Sequence, residues 1–150
     1  MTSQTLSATA DTAVRALMTS PVKTAHRDMT LAEVKKVFDR YDINHLPVVD
    51  ADERVLGIIS STDLARITNW KAYFQPEREA ANLQRLLETL LVEDVMHKPA
   101  VTARDTATLL DIATLVNERR FHCVPIVDAE RVLVGVITAH DLLRAAYPGS

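Results

Sequence analysis

The sequence predicts an α+β fold made of two similar halves, and three observations lead to this prediction. The first is an internal repeat without gaps: Val14 to Arg66 aligns on Val92 to Arg144 at an offset of 78, and about 16 of the paired residues are identical. The second is a shared order of elements in each copy, which reads strand, helix, strand, strand, helix. The third is a hydrophobic content of 47% in a chain of 150 residues, which is enough for a sizeable core.

Each copy opens with a short extended segment, around Pro21 to Ala25 or Pro99 to Ala103. A helix follows, and its start is marked by a hydroxyl residue with a carboxylate three positions later, because these two side chains satisfy the free backbone N–H groups of a first helical turn. Apolar residues then recur at helical spacing, so each helix has one face to bury. The hydroxyl and carboxylate pairs are Thr30 with Glu33 and Thr108 with Asp111, and the apolar residues are Leu31, Val34, Val37 and Phe38, then Leu109, Ile112, Leu115 and Val116.

A β-hairpin and a second helix complete each copy. Two short apolar runs flank a polar turn, which is the pattern of two antiparallel strands. The strands and turns are Leu46 to Val49, Asp50 to Arg54 and Val55 to Ile59 in the first copy, and Val124 to Val127, Asp128 to Arg131 and Val132 to Ile137 in the second. Both hairpins run into a helix that begins near Ser60 or Thr138.

The repeat predicts four parts along the chain: a flexible tail over residues 1–13, a first repeat over 14–68, an inter-repeat helical segment over 69–91 and a second repeat over 92–147. Pro76 can open a helix that runs from Glu77 to Leu91, with five leucines along one side. We favour packing of this helix on its own domain, and a dimer or partner surface stays open as the alternative. The aromatic residues just before Pro76 are Trp70, Tyr73 and Phe74, which we assign to a core or an interface.

Composition argues against several classes of protein. The formal net charge of −3 lacks the basic balance of a nucleic-acid binder. No apolar stretch approaches the roughly 20 residues that cross a bilayer, and no signal peptide is evident. With a single cysteine, Cys123, the chain has no internal disulfide. We therefore expect a cytoplasmic protein.

Isolated histidines and the cysteine give little support to an enzyme or a metal site. His122 and Cys123 are adjacent on an extended segment, so their side chains point to opposite faces, and a buried structural cysteine is favoured over a nucleophile. His97, His122 and His140 lack the close spacing of metal ligands. We expect neither a catalytic residue nor a bound metal.

The strongest local feature is a matched pair of segments, Gly57 to Asp63 and Gly135 to Asp141. In each, a strand ends at a hydroxyl residue and a carboxylate follows three positions later on the first helical turn. One interpretation is a capping box that only stabilises the helix. The other is a ligand site, because a helix N-terminus offers N–H groups to a phosphate while the adjacent carboxylate accepts from ribose hydroxyls.

These patterns together resemble the CBS-domain pair, or Bateman module, named after cystathionine β-synthase. The resemblance extends over both repeats, from Val14 to Ala146. The motifs that carry it are Val14 to Met18 with Pro21, Val92 to Met96 with Pro99, Leu46 to Asp50, Val124 to Asp128, and the two Gly-to-Asp segments.

The resemblance implies two repeats that associate about a pseudo-twofold axis, with their sheets facing each other and ligand clefts between them. Family members typically bind AMP, ADP, ATP or a related adenosyl compound there. Carried over to this sequence, Asp63 and Asp141 hold ribose hydroxyls, and Ser60 and Thr138 touch phosphate. The residues beside the adenine are Thr24, Ala25, Thr102 and Ala103, whose backbone reads its edge, and Ile43 and Phe121, which pack on its face.

His45 and His122 stand where some relatives place Arg or His against phosphate. Because histidine supplies less fixed positive charge than arginine, AMP or ADP is favoured over ATP. The expected function is a regulatory module that transmits nucleotide occupancy to a partner protein, as a homodimer of the flat-disc kind common in the family. The alternative is a ligand-free structural dimerisation or adaptor module.

Overall fold

The computed structural model of the chain describes residues 11–74, 79–119 and 121–147, without the side chains of 70–74 and 79–81. The chain divides into two compact units. One unit contains residues 23–100, and the other combines residues 1–22 with residues 101–150. Each unit is described by itself below.

The unit of residues 23–100 contains one three-stranded sheet with helices. Its elements are β1 (Ala25–His26), α1 (Leu31–Tyr41), β2 (His45–Val49), β3 (Val55–Ser60), α2 (Ser61–Phe74), α3 (Glu79–Thr89) and α4 (Val92–Val95). The strand order is β1-β2-β3, with β1 parallel and β3 antiparallel to β2. Thr30 caps α1 as expected, since its hydroxyl accepts from the Glu33 N–H at 3.2 Å.

The second unit repeats this plan. A short 3₁₀ helix (Val14–Ala16) is followed, after the first unit, by β4 (Ala103–Arg104), α5 (Leu109–Arg119), β5 (Cys123–Val127), β6 (Leu133–Thr138) and α6 (Ala139–Ala146). The order is β4-β5-β6, with the same directions as in the first sheet. The predicted α+β class and the order of elements are confirmed.

The first strand of each sheet is shorter and later than the sequence suggests. Only Ala25 and His26 pair with β2, and only Ala103 and Arg104 pair with β5. Proline has no N–H to give to a sheet, so Pro21 and Pro99 stay outside it.

The residues that precede each first strand pack away from the repeat to which they belong in sequence. We call residues 14–22 and 92–100 the leading segments. The segment 92–100 lies in the unit of the first repeat, where Ile58 and His97 exchange two backbone hydrogen bonds of 3.0 and 2.9 Å. The segment 14–22 lies with the second repeat, where Thr19 and Val136 exchange bonds of 2.8 and 3.1 Å.

Each unit has its own apolar core. In the unit of residues 23–100, Leu31, Leu46 and Ile59 are fully buried, and Leu87 of α3 packs with them. Leu83 and Leu90 also pack against this core, so the inter-repeat helix packs on the first repeat, in line with its favoured interpretation. The other core contains Val14, Ile112, Val124, Ile126 and Ile137. The side chains of Trp70, Tyr73 and Phe74 lie outside the described residues, as does most of the predicted tail.

Among the described helices, none combines the length and the apolar character that crossing a membrane requires.

Candidate functional site

The first candidate site lies where β3 meets α2. Strand β3 ends at Ser60, and Asp63 occupies the first turn of the helix. The Asp63 Oδ2 atom accepts from the Ser60 N–H at 2.8 Å and from the Ser60 hydroxyl at 2.9 Å. The Ser60 Oγ in turn accepts from the Asp63 N–H at 3.2 Å. The junction is therefore a complete capping box.

The second candidate site, where β6 meets α6, has the same geometry. The Asp141 Oδ2 atom accepts from the Thr138 N–H at 2.8 Å, and Thr138 Oγ1 accepts from the Asp141 N–H at 3.2 Å. Both carboxylates are buried, with 6% of Asp63 and 7% of Asp141 exposed. A buried carboxylate needs donors around it, and the cap supplies some of them.

The remaining oxygen of each carboxylate is held by a cationic or titratable side chain. His97 Nε2 lies 2.8 Å from Asp63 Oδ1, and Arg144 Nη2 donates to Asp141 Oδ1 at 2.7 Å. Sequence reasoning missed both contacts. Arg144 is detectable from its spacing of three on a helix, but no spacing rule connects His97 with a residue 34 positions earlier.

The middle strand of each sheet begins beside a junction. His45 pairs with Ser60, and Cys123 pairs with Thr138. The backbone carbonyl of His122 accepts from the first N–H of α6 at 3.0 Å. His45 is half-buried and His122 is exposed. The structure thus places both predicted phosphate-side histidines next to the junctions, although only His45 lies within a strand.

The predicted adenine-side residues lie around the same strands. Ile43 and Phe121 are half-buried and pack against the cores of their units. Ala25 and Ala103 belong to β1 and β4, each of which is one of the two edge strands of its sheet, with Thr24 and Thr102 directly before them. An edge strand has backbone groups on its outer side that no strand of its own sheet uses, which suits recognition through the backbone.

The cysteine is buried while its neighbour His122 is exposed, as the alternation of an extended segment predicts. Burial, together with the negative charge of Asp141, raises the pKa of the Cys123 thiol to about 12. Such a thiol is protonated at neutral pH and is a poor nucleophile. Within the described residues, no group of three or more His, Cys, Asp or Glu side chains is arranged to hold a metal ion.

A separate apolar cavity of about 250 Å³ lies among α1, α2 and α3. Its walls include Phe38, Leu64, Ala65 and Leu87, with Lys35 and Asp39 also lining it. None of the candidate site residues lines this cavity.

Comparison with known sequences identifies the two repeats. The sequence profile of the CBS domain matches residues 14–68 and 92–147. A CBS domain-containing protein of Dictyostelium discoideum is 32% identical over 130 residues, which span 87% of this chain and 88% of that protein.

Longer enzymes contain a similar region. L-aspartate semialdehyde sulfurtransferase of Methanocaldococcus jannaschii is 29% identical over 133 residues, and inosine-5'-monophosphate dehydrogenase of Halobacterium salinarum is 33% identical over 129. The matched regions span 89% and 86% of this chain. The chain corresponds to only 23% of the length of each enzyme.

Three solved structures similar to this chain contain adenosyl ligands. CBSX2, a CBS-pair protein of Arabidopsis thaliana, was solved with AMP. It has a TM-score of 0.72 and 26% identity, and the match covers 90% of this chain and 96% of that one. The CBS domain pair of MJ0100 was solved with 5'-methylthioadenosine and S-adenosyl-L-methionine; it has a TM-score of 0.71 and 29% identity, and the match covers 89% of this chain and 94% of that one. The cytosolic domain of the Mg²⁺ channel MgtE was solved with ATP; it has a TM-score of 0.68 and 26% identity, and the match covers 91% of this chain and 49% of that one. With two matched segments and this shared fold, the chain belongs to the CBS domain family as a tandem pair.

Proposed function

We propose that the chain is a regulatory module that binds an adenosyl nucleotide, with AMP or ADP favoured, and transmits its occupancy to a partner protein. The observation that carries the proposal is the duplicated junction, where a buried aspartate and a hydroxyl residue meet a helix N-terminus in both units. The complexes of structurally similar proteins with AMP, S-adenosyl-L-methionine and ATP support it.

In this proposal, Asp63 and Asp141 accept from ribose hydroxyls. Each retains acceptor capacity, because a carboxylate has about four lone-pair positions. Ser60 and Thr138 lie at the helix N-termini, where partial positive charge favours phosphate. Ile43 and Phe121 offer apolar faces to the adenine, with the edge strands that contain Ala25 and Ala103 beside them.

The preference for AMP or ADP rests on charge. His45 and His122 stand beside the junctions, and histidine supplies less fixed positive charge than arginine. A triphosphate gains more from fixed arginine charges than a monophosphate does. The buried thiol of Cys123 fits a reducing compartment, so the proposed location is the cytoplasm.

Calorimetric titration with AMP, ADP, ATP and S-adenosylmethionine tests the proposal. We expect saturable binding of AMP and ADP, weaker binding of ATP, and no comparable signal from GMP. Absence of heat and of binding with every adenosyl compound at millimolar concentration rejects the sensing function.

One observation favours a second candidate, a ligand-free structural adaptor. Every buried side-chain nitrogen and oxygen in the described residues has a hydrogen-bond partner, so both capping boxes are complete without a ligand. A purely structural module requires the caps and needs no nucleotide. Under this candidate, changing Asp63 or Asp141 lowers stability and has no further consequence.

A further inference from the structure

The two buried aspartates receive their second donor from different parts of the chain. Arg144 is on the same helix as Asp141, three residues later, whereas His97 comes from the leading segment 92–100. We infer that His97 is a positioning residue of the first nucleotide site, where it orients the Asp63 carboxylate toward the ribose hydroxyls. This inference rests on the proposed function.

The orientation of a carboxylate matters because one anchored oxygen leaves rotation about the Cβ–Cγ bond. Ser60 fixes Oδ2 of Asp63 through its N–H and its hydroxyl. The His97 ring fixes Oδ1 at 2.8 Å, so that the plane of the carboxylate is defined before a ligand arrives. An acceptor that is already ordered loses less entropy when it binds, and Oδ1 keeps a second lone pair for a ribose hydroxyl.

The backbone of His97 is itself fixed against β3. Ile58 and His97 exchange two backbone hydrogen bonds, and a Cβ atom at Gly57 would come within 2.6 Å of the His97 carbonyl oxygen. The imidazole is 64% exposed while the Asp63 side chain is 7% exposed. A mostly buried carboxylate is thus held by a ring that is itself largely exposed.

The second junction reaches the same arrangement by another route. The residue equivalent to His97 is Thr19, and the residue equivalent to Arg144 is Arg66. Arg66 is present, yet the contact to Asp63 Oδ1 comes from His97. Both oxygens of each carboxylate thus accept a hydrogen bond. The residues that donate to Oδ1, His97 and Arg144, do not occupy matching positions in the two repeats.

The test uses two variant proteins, each of which keeps only one of the two nucleotide sites intact. In an Asp141→Ala protein, AMP reports on the first site, and we expect His97→Ala to weaken AMP binding about three- to tenfold, the worth of one hydrogen bond. His97→Gln should restore most of this affinity, because its amide N–H can replace the Nε2 donor. In an Asp63→Ala protein, which reports on the second site, His97→Ala should change nothing. Thr19→Ala and Arg66→Ala serve as matched controls with wild-type affinity.

Ribose chemistry separates positioning from a general structural effect. In the same Asp141→Ala background, dideoxy-AMP, which lacks both ribose hydroxyls, should bind equally with His97 and with His97→Ala, because no hydroxyl remains to be oriented. Equal weakening of AMP and dideoxy-AMP, or a folded His97→Gln as weak as His97→Ala, overturns the inference. If His97→Ala binds AMP with unchanged affinity, the inference about His97 is overturned and the proposed function is not. If the wild type binds no adenosyl compound, both the inference and the proposed function are overturned.

Discussion

At the scale of single residues, the two buried aspartates combine a structural and a proposed ligand role in one carboxylate. Asp63 and Asp141 each cap a helix through Oδ2 and accept another side chain through Oδ1. An alanine substitution removes both roles at once. An asparagine substitution keeps an oxygen for the cap and replaces the other oxygen with a donor, so it can separate the two roles.

We predict that Asp63→Asn and Asp141→Asn stay folded and each lose nucleotide binding at one site. The loss of an acceptor charge for a ribose hydroxyl should weaken binding about ten- to a hundredfold, whereas an intact cap preserves stability to within about 1 kcal/mol. Calorimetry and thermal unfolding measure the two effects separately. Wild-type affinity in both variants and in the double variant contradicts the assigned roles.

Asp105 predicts a dependence of stability on pH. It is buried and bonded to Arg15 of the leading segment 14–22, with Arg104 Nε 3.7 Å away. The Arg15 hydrogen bond holds the pKa of Asp105 below its ordinary value of 3.8. A carboxyl with a lowered folded pKa stabilises the fold above its unfolded pKa and loses this contribution as the pH falls through the folded value.

We therefore expect Asp105→Asn to be less stable than the wild type at neutral pH, with a difference that shrinks below about pH 4. Urea unfolding across this range measures it. Asp52→Asn, at an exposed aspartate, is the control. A difference that does not change with pH contradicts the role assigned to the pair.

At the scale of elements, Gly57 and Gly135, which occupy matching positions in the two repeats, show how closely a leading segment lies against a strand. A Cβ atom at Gly57 would meet the backbone carbonyl of His97 at 2.6 Å, and one at Gly135 would meet the Met18 Sδ atom at 2.5 Å. The backbone carbonyl nearest to a Cβ at Gly135, that of Thr19, is farther away, at 3.1 Å. A thioether can rotate away and a carbonyl at 3.1 Å needs to shift by only a few tenths of an ångström, whereas the hydrogen-bonded His97 carbonyl at 2.6 Å requires the whole segment to move. Similar contact distances thus have different consequences.

We predict that Gly57→Ala destabilises the protein by about 1–3 kcal/mol and that Gly135→Ala costs less. Chemical denaturation of the two variants, with Asp63→Asn as a folded reference, gives the comparison. Equal destabilisation by the two alanines would contradict this difference between the two sites.

At the scale of the whole molecule, exposed apolar side chains predict self-association. Leu110 on α5 and Leu143 on α6 are 57% and 59% exposed, and the two helices contact each other. An apolar surface of this kind is a common site of assembly, and twofold symmetry is its usual form.

We predict a homodimer at tens of micromolar that Leu143→Asp shifts toward monomer, because a charge on the surface resists burial. Light scattering gives the mass, and Tyr41→Asp, at an exposed aromatic of the other unit, tests whether that surface contributes instead. A wild type of monomer mass contradicts the prediction.

Nucleotide binding should also stabilise the whole fold. A ligand that binds only the folded state at a hundred times its Kd contributes about 2.7 kcal/mol. For a chain of this size, saturating AMP should raise the Tm by about 5–10 °C. Adenosine should give less, since it lacks a phosphate for the helix N-termini. A Tm unmoved by millimolar AMP, ADP, ATP, S-adenosylmethionine and NAD favours the adaptor.

Local features could be predicted from the sequence because they depend on residues that are close along the chain. The caps at Ser60 and Thr138 follow from a spacing of three, and the hairpins follow from apolar runs around a polar turn. The repeat then doubled each signal. The roles of the twelve predicted ligand residues remain predictions from a family resemblance.

Only the tertiary structure decided which distant residues meet. The pairs His97–Asp63 and Arg15–Asp105 join residues 34 and 90 positions apart. Both arise because each leading segment packs with the repeat that it does not precede. A contact of this kind produces no regular spacing in a single sequence. It depends on how closely a segment packs against a strand, as at Gly57, and such packing exists only in the folded chain.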